Sequence, residues 1–170
     1  PEVYLYDIET SAMKPIFMGT QATWQNTNGV HFMSQKMEYV MADLNYDGTR
    51  AVVTYIDQHM DYSVQRFAER LTMESVLKLI DTGTGSTLFE KRLPTGSFSS
   101  PGMAARLNRD GTKAVFLHYP RGAANDPTFG VSSFSLAPPQ IYSLVLSGNA
   151  EPTKLSEGDG VAGPKIYDFR

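Results

Sequence analysis

Short apolar runs alternate with polar turn residues along the chain, and this pattern predicts β-strands joined by tight turns. The clearest runs are 51–56 (AVVTYI), 76–80 (VLKLI), 114–119 (AVFLHY) and 141–146 (IYSLVL). Their β-branched and aromatic residues are typical of strands. Asp47-Gly48 and Asp110-Gly111 precede two of these runs, and Asp-Gly between apolar segments is a strong hairpin signal. The pattern predicts an all-β chain.

The turn and its flanking strands recur in the sequence. Residues 41–53 (MADLNYDGTRAVV) and 104–116 (AARLNRDGTKAVF) are identical at eight of thirteen positions, and Asp47 recurs 63 positions later as Asp110. A second element follows each turn, because the strand ending in the Gly-rich turn 81–85 has a counterpart ending at 147–149. Each unit therefore holds four strands joined by turns, which is the blade pattern of a β-propeller.

The repeat divides the chain into blades. We predict one β-propeller segment of four-stranded antiparallel blades over residues 1–170, with a partial blade at 1–30, full blades at 31–97 and 98–160, and a partial blade at 161–170. A propeller needs roughly 4–8 blades to close. We therefore expect the ring to be completed by the remaining blades of a longer chain or by other copies in a homo-oligomer.

The repeat is longer than the roughly 40–50 residues of common propeller repeats, and the excess falls in two insertions. In Asp57–Ser75, the apolar residues Val64, Phe67, Ala68 and Leu71 have the spacing of a short amphipathic helix. The second insertion, Arg121–Pro139, is rich in Gly, Pro, Ser and Ala and is predicted to be a loop. Long insertions on a rigid scaffold are often functional, so both are candidate contact surfaces.

These repeats resemble a known family. The pattern Leu-Asn-x-Asp-Gly-Thr-Lys-Ala-Val-Phe at 107–116, followed by 140–144 (QIYSL) and 151–155 (EPTKL), resembles the blades of bacterial TolB-type and WD-repeat-like propellers. Residues 76–96 resemble a blade of the related surface-layer propellers. The resemblance implies a periplasmic, secreted or cell-envelope protein that binds other proteins. It also allows an alternative, the non-catalytic propeller domain of a peptidase whose active site lies outside this chain.

Composition narrows the chemistry. A net charge of −3 and the lack of a basic run with interleaved aromatics argue against nucleic acid as a partner. No apolar stretch is long enough to predict a transmembrane segment. The chain has no cysteine, which excludes disulfides, thiolate metal ligands and a cysteine nucleophile. With no Gly-x-Ser-x-Gly elbow or phosphate-binding Gly motif, we expect no catalytic residues and no organic cofactor within this chain.

One motif suggests calcium. Asp43, Asn45 and Asp47 have the Asp-x-Asn-x-Asp-Gly spacing that opens many Ca²⁺ loops, where alternating oxygen ligands suit a hard cation. The second copy of the repeat has Arg106 in place of Asp43 but keeps the Asn, Asp and Gly. Turn geometry is therefore the favoured explanation of these residues, and calcium is the alternative.

The segment Asp81-Thr82-Gly83 has the signature of an aspartic protease. That mechanism needs two carboxylates sharing a proton. The corresponding residues 7–10 (DIET) and 145–148 (VLSG) do not repeat the signature, so a turn is favoured over a protease.

Four residues are predicted partner contacts. Trp24 lies in a polar stretch, where an exposed indole could anchor a protein or a sugar ring, although a lone Trp is usually buried. Phe67, Arg121 and Phe129 belong to the two insertions. Together these features predict a binding or scaffold module.

Overall fold

A computed structural model describes residues 2–19, 23–27, 31–63, 68–94, 104–118 and 140–156 of the chain. The strands in this part are β1 (Glu2–Tyr6), β2 (Met13–Met18), β3 (Thr23–Thr27), β4 (His31–Leu44), β5 (Arg50–Ser63), β6 (Ala68–Asp81), β7 (Thr87–Pro94), β8 (Ala105–Leu107), β9 (Lys113–His118), β10 (Gln140–Val145) and β11 (Thr153–Lys154). The described residues contain no helix. The all-β prediction is confirmed.

The strands form three antiparallel sheets. The first sheet is β1–β2, the central sheet has the order β3–β4–β5–β6–β7, and the third sheet has the order β11–β10–β9–β8. Strands β4 to β7 and β8 to β11 each follow one another as neighbours, in agreement with four-stranded, blade-like sheets. The central sheet also carries a fifth strand, because β3 pairs with the first part of β4. Among the described residues, the three sheets do not close into a ring.

The first predicted insertion is part of the central sheet. Strands β5 and β6 pair without interruption from Arg50 opposite Asp81 to Ser63 opposite Ala68. The predicted helix is therefore wrong for the part of it that the structure describes, because Ala68 and Leu71 lie in β6. The helical spacing of apolar residues is outweighed by β5, which offers a backbone partner to every residue of β6. Residues 64–67, including Phe67, lie outside the described residues.

The central sheet consists of two halves with different neighbours. β7 pairs with β6 from Glu74 to Ile80 and ends at Pro94, whereas β3 pairs with residues 31–35 of β4. The half with β7 is called here the base. The row of paired residues Met37, Asp57 and Glu74 is the boundary, and the half beyond it is called the arm. The arm comprises β3, residues 31–36 of β4, residues 58–63 of β5 and residues 68–73 of β6.

The base is buried on both faces. Neighbouring residues of a strand point to opposite faces of the sheet, and both Val52 and Val53 are at most 1% exposed. The face toward the third sheet contributes Val52, Leu77, Leu79 and Phe89 to a core with Ala105, Ala114, Phe116, Leu144 and Leu146. The face toward the first sheet contributes Val53, Tyr55, Val76 and Ile80 to a core with Phe17. Burial on both faces explains why β5 reads as a continuous apolar run rather than an alternating one.

Candidate functional site

The turn between β4 and β5 is held by its own polar side chains. The Oδ1 of Asn45 accepts a hydrogen bond from the Arg50 amide at 2.9 Å. The Oδ1 of Asp47 accepts from the amide and the hydroxyl of Thr49, at 3.0 and 2.6 Å. These bonds from Thr49 lower the pKa of the Asp47 carboxyl. Gly48 completes the turn with φ of 71°, a conformation that glycine adopts without steric cost.

The turn between β8 and β9 repeats this arrangement. The Oδ1 of Asn108 accepts from the amides of Thr112 and Lys113, at 2.9 and 2.8 Å. The Oδ1 of Asp110 accepts from the Thr112 hydroxyl at 2.6 Å, and bonds from Thr112 lower the pKa of this carboxyl as well. The recurrence of Asn-x-Asp-Gly-Thr in the sequence therefore follows from the hydrogen bonds that the turn requires.

The three calcium candidates are engaged in separate contacts. Asn45 and Asp47 bond within the turn, whereas Asp43 reaches the third sheet. Its Oδ1 lies 3.3 Å from Nη1 of Arg106, and its Oδ2 accepts from the Leu107 amide at 3.0 Å. No group of three or more His, Cys, Asp or Glu side chains that could hold a metal exists within the described ranges. Calcium binding by these residues stays a prediction.

The same edge of the molecule joins the central sheet to the third. The guanidinium of Arg50 donates to the Gly111 carbonyl at 3.2 Å, and Arg109 stacks over the ring of Tyr46, 4.5 Å from its centroid. Gly111 has φ of 67°, and a Cβ at this position would lie 2.8 Å from Cδ of Arg50. Glycine is therefore needed there both for the backbone conformation and for the close approach of Arg50.

The Asp-Thr-Gly segment forms a turn that packs on the β4–β5 turn. Asp81 accepts bonds from the amide and hydroxyl of Thr84 at 2.8 and 3.0 Å, and these bonds lower its pKa. The Thr82 hydroxyl donates to the Gly48 carbonyl at 2.6 Å. Asp7 makes comparable bonds to the amides of Glu9 and Thr10 in the turn that follows β1. A structural role in the turn explains these contacts of Asp81.

An ionic cluster around one buried carboxylate lies where the arm meets the base. The Asp57 side chain is fully buried, and its Oδ2 lies 3.0 Å from Nη1 of Arg92 and 3.3 Å from Nε2 of His59. Arg92 also contacts Glu74 at 3.0 Å and Glu90 at 2.7 Å. Burial opposes the charge of Arg92, but the bonds to the three carboxylates outweigh it and raise the pKa of the guanidinium. Arg92 thereby links β5, β6 and β7 at one point.

The cluster continues toward the first sheet. The Nζ of Lys78 lies 3.2 Å from Glu90, and 6.0 and 5.9 Å from the ring centroids of Phe17 and Tyr55. Burial raises the pKa of the Tyr55 hydroxyl. Opposite-charge pairs and cation–aromatic contacts therefore accompany the apolar core on this face of the base.

A backbone irregularity in β4 lies beside the ionic cluster. The pairing of β4 with β5 shifts register between Glu38 and Met41, and Tyr39 has φ of 54°. A positive φ is uncommon for a bulky residue and marks a local irregularity such as a bulge. The bulge, the buried Asp57 and the end of β7 at Pro94 fall at the same level of the sheet. Together they define the root of the arm.

No motif in the sequence predicts this root. Asp57 and Arg92 are 35 positions apart, and neither belongs to a recognisable motif. A charged residue at the end of the run 51–56 was the one available sign, since a strand buried on both faces rarely ends in a carboxylate without a partner.

The predicted partner contacts fall in two groups. Trp24 lies in β3, paired with Ser34, and therefore belongs to the arm. Phe67, Arg121 and Phe129 lie outside the described residues. The assignment of all four to partner binding stays a prediction.

His118 is a buried polar residue between the central and third sheets. It is 5% exposed, and its ring meets that of Tyr142 edge to face at 6.0 Å. Burial lowers its pKa to about 4, although a hydrogen bond with the Pro94 backbone opposes the shift. Its Nδ1 has no hydrogen-bond partner among the described residues. The imidazole is therefore neutral at pH 7 and belongs to the core.

No protein-family model, curated protein or solved structure matches the chain. The resemblance to bacterial propellers accordingly stays a prediction. The described part of the chain also contains no helix long and apolar enough to cross a membrane.

Proposed function

We propose that this chain is a segment of a TolB-type or WD-repeat-like β-propeller that serves as a binding or scaffold module in the bacterial cell envelope, and that the arm is its contact surface. Two strand meanders related by sequence repeat and packed face to face support the propeller assignment. The arm is the feature that carries the binding assignment, because it continues the central sheet beyond the end of β7.

The root gives the arm a defined orientation. Arg92 connects the last paired residues of β7 to Asp57 and Glu74, in the row of the base that borders the arm. A contact surface held by ion pairs to the buried Asp57 carboxylate, on a packed base, loses little conformational entropy on binding, which favours affinity. Trp24, one of the predicted partner contacts, lies in β3 of the arm, and aromatic residues often dominate binding energy.

Deletion of the arm tip tests this function. Residues 60–71 are replaced by Asn-Gly, which joins the paired residues His59 and Thr72 by a two-residue turn and keeps the root. Both proteins are immobilised and used to capture partners from the source cells under quantitative cross-linking. We expect a partner that the intact chain enriches to be lost from the variant.

Leu155→Ser, which changes an exposed residue beyond the third sheet, serves as the control and should retain the partner. Circular dichroism and thermal unfolding must show that the tip-deleted chain remains folded. An identical set of captured partners for the intact and tip-deleted chains would refute the assignment of binding to the β5–β6 part of the arm.

A further inference from the structure

The outer face of the first sheet is apolar and exposed. The pairing of β1 with β2 places Glu2 opposite Met18 and Tyr6 opposite Met13, and paired residues lie on the same face of a sheet. Tyr4, Tyr6, Met13 and Met18 are 46 to 65% exposed. These four residues and Glu2 are called here the leading face. Val3 and Phe17 point the other way, toward the central sheet.

The outer face of the third sheet is its counterpart. Val115 pairs with Ser143, Leu117 with Ile141, and Lys113 with Val145. The six residues of these three pairs are called the trailing face. Val115 and Val145 within it are 38 and 46% exposed. Their neighbours in sequence, including Ala114, Phe116 and Leu144, point into the core shared with the central sheet.

Both faces correspond to buried positions of the central sheet. Val115 aligns in the repeat with Val52, which is 1% exposed. Tyr6 precedes Asp7 as Ile80 precedes Asp81, in turns with comparable hydrogen bonds, and Ile80 is 2% exposed. Within the part of the chain that the structure describes, no sheet packs on either of these two faces, although the same kind of contact buries both faces of the base.

We infer that the leading face of one copy of this chain packs on the trailing face of a second copy, head to tail. Tyrosine and methionine side chains on one face meet valine, leucine and isoleucine on the other, a combination suited to close packing. Glu2 on the leading face and Lys113 on the trailing face carry opposite charges, as do Lys91 and Glu151 across the existing contact between the central and third sheets.

This geometry makes the association heterologous. Because the two faces differ, each copy keeps one free face after a dimer forms, and growth stops when a ring closes or continues as a filament. The inference rests on the exposed faces and does not depend on binding by the arm.

Complementary variants test the inference. Light scattering over a concentration series should give a molar mass for the intact chain that rises above that of the monomer. Tyr6→Asp removes the leading face and Val145→Asp removes the trailing face, and each should weaken self-association about tenfold or more because a carboxylate would be buried without a partner. Leu88→Asp, at an equally exposed position of β7, is the control and should associate as the intact chain does.

The decisive measurement is the mixture of the two variants. Each retains one intact face, so head-to-tail packing predicts a one-to-one heterodimer that does not grow further. Formation of this heterodimer also shows that both variants are folded. An intact chain that stays monomeric at every concentration would overturn the inference, and so would a mixture that stays monomeric while the intact chain associates.

Discussion

The two faces of the base bury the same strands by different means. The face toward the third sheet is apolar in its core, with Leu77 and Leu79 packed against Phe116. The face toward the first sheet combines an apolar core with the ion pairs of Asp57 and Arg92. Apolar contacts are non-directional and tolerate adjustment, whereas ion pairs stabilise only when every charge keeps its partner. The comparison suggests that one face supplies most of the stability and the other fixes the position of the arm.

The largest effect is expected on the apolar face. Phe116→Ala removes a ring that is 2% exposed and stacked on Tyr142 at 5.7 Å. Loss of burial and the cavity left behind should lower the free energy of unfolding by about 3–5 kcal/mol. Val115→Ala, one position along the same strand on the exposed face, should cost less than about 1 kcal/mol. Denaturant titration measures both, and equal losses would contradict the assignment of the two faces of β9.

The ionic face should respond next. Arg92→Met leaves the Asp57 carboxylate buried without its guanidinium partner and should destabilise the chain by about 3 kcal/mol. The comparison variant Lys91→Met, on the opposite face of β7, removes a pair whose partner, Glu151, is 77% exposed, and should cost under about 1 kcal/mol.

The double variant Asp57→Leu/Arg92→Met sharpens this test. It removes both charges and should recover part of the lost stability. Relative to the intact chain, Arg92→Met should accelerate hydrogen exchange more in the arm than in the base. A uniform change over the whole sheet would mean that Arg92 does not act at the root.

A pH titration probes the polar residue on the apolar side. The pKa of His118 is about 4 in the folded chain against an ordinary value of 6.5, so the unfolded chain binds the proton more tightly. The contribution of neutral His118 to the free energy of unfolding is therefore fully present above pH 6.5. It is lost as the pH falls toward 4, and the loss is about 3 kcal/mol at most. His118→Leu should remove this slope. Thermal unfolding of the variant and the intact chain between pH 7 and 4 measures this difference. Parallel plots of stability against pH for the two proteins would show that His118 is not buried as a neutral group.

Some of the site could be predicted from local sequence. The turns at Asp47 and Asp110 were expected because Asn, Asp and Gly at these positions bond the backbone close to them in the chain. The repeat likewise predicted which strands follow one another. The helix expected for 64–71 was wrong where the structure describes it, since residue spacing does not reveal that β5 lies alongside. Asp57 and Arg92 escaped prediction because side chains so distant in sequence meet only after β6 has paired with both neighbours.

The sequence by itself determined the all-β class, the turn positions and the four-strand unit, because these depend on side chains acting on backbone within a few residues. The tertiary structure decided the rest. The predicted insertion proved to be part of the arm, because β5 and β6 pair over fourteen residues each. Stacking of the sheets decided which apolar positions are buried in the central sheet and which stay exposed on the outer faces of the first and third sheets. Those outcomes depend on contacts between distant segments, whose free energy no local pattern records.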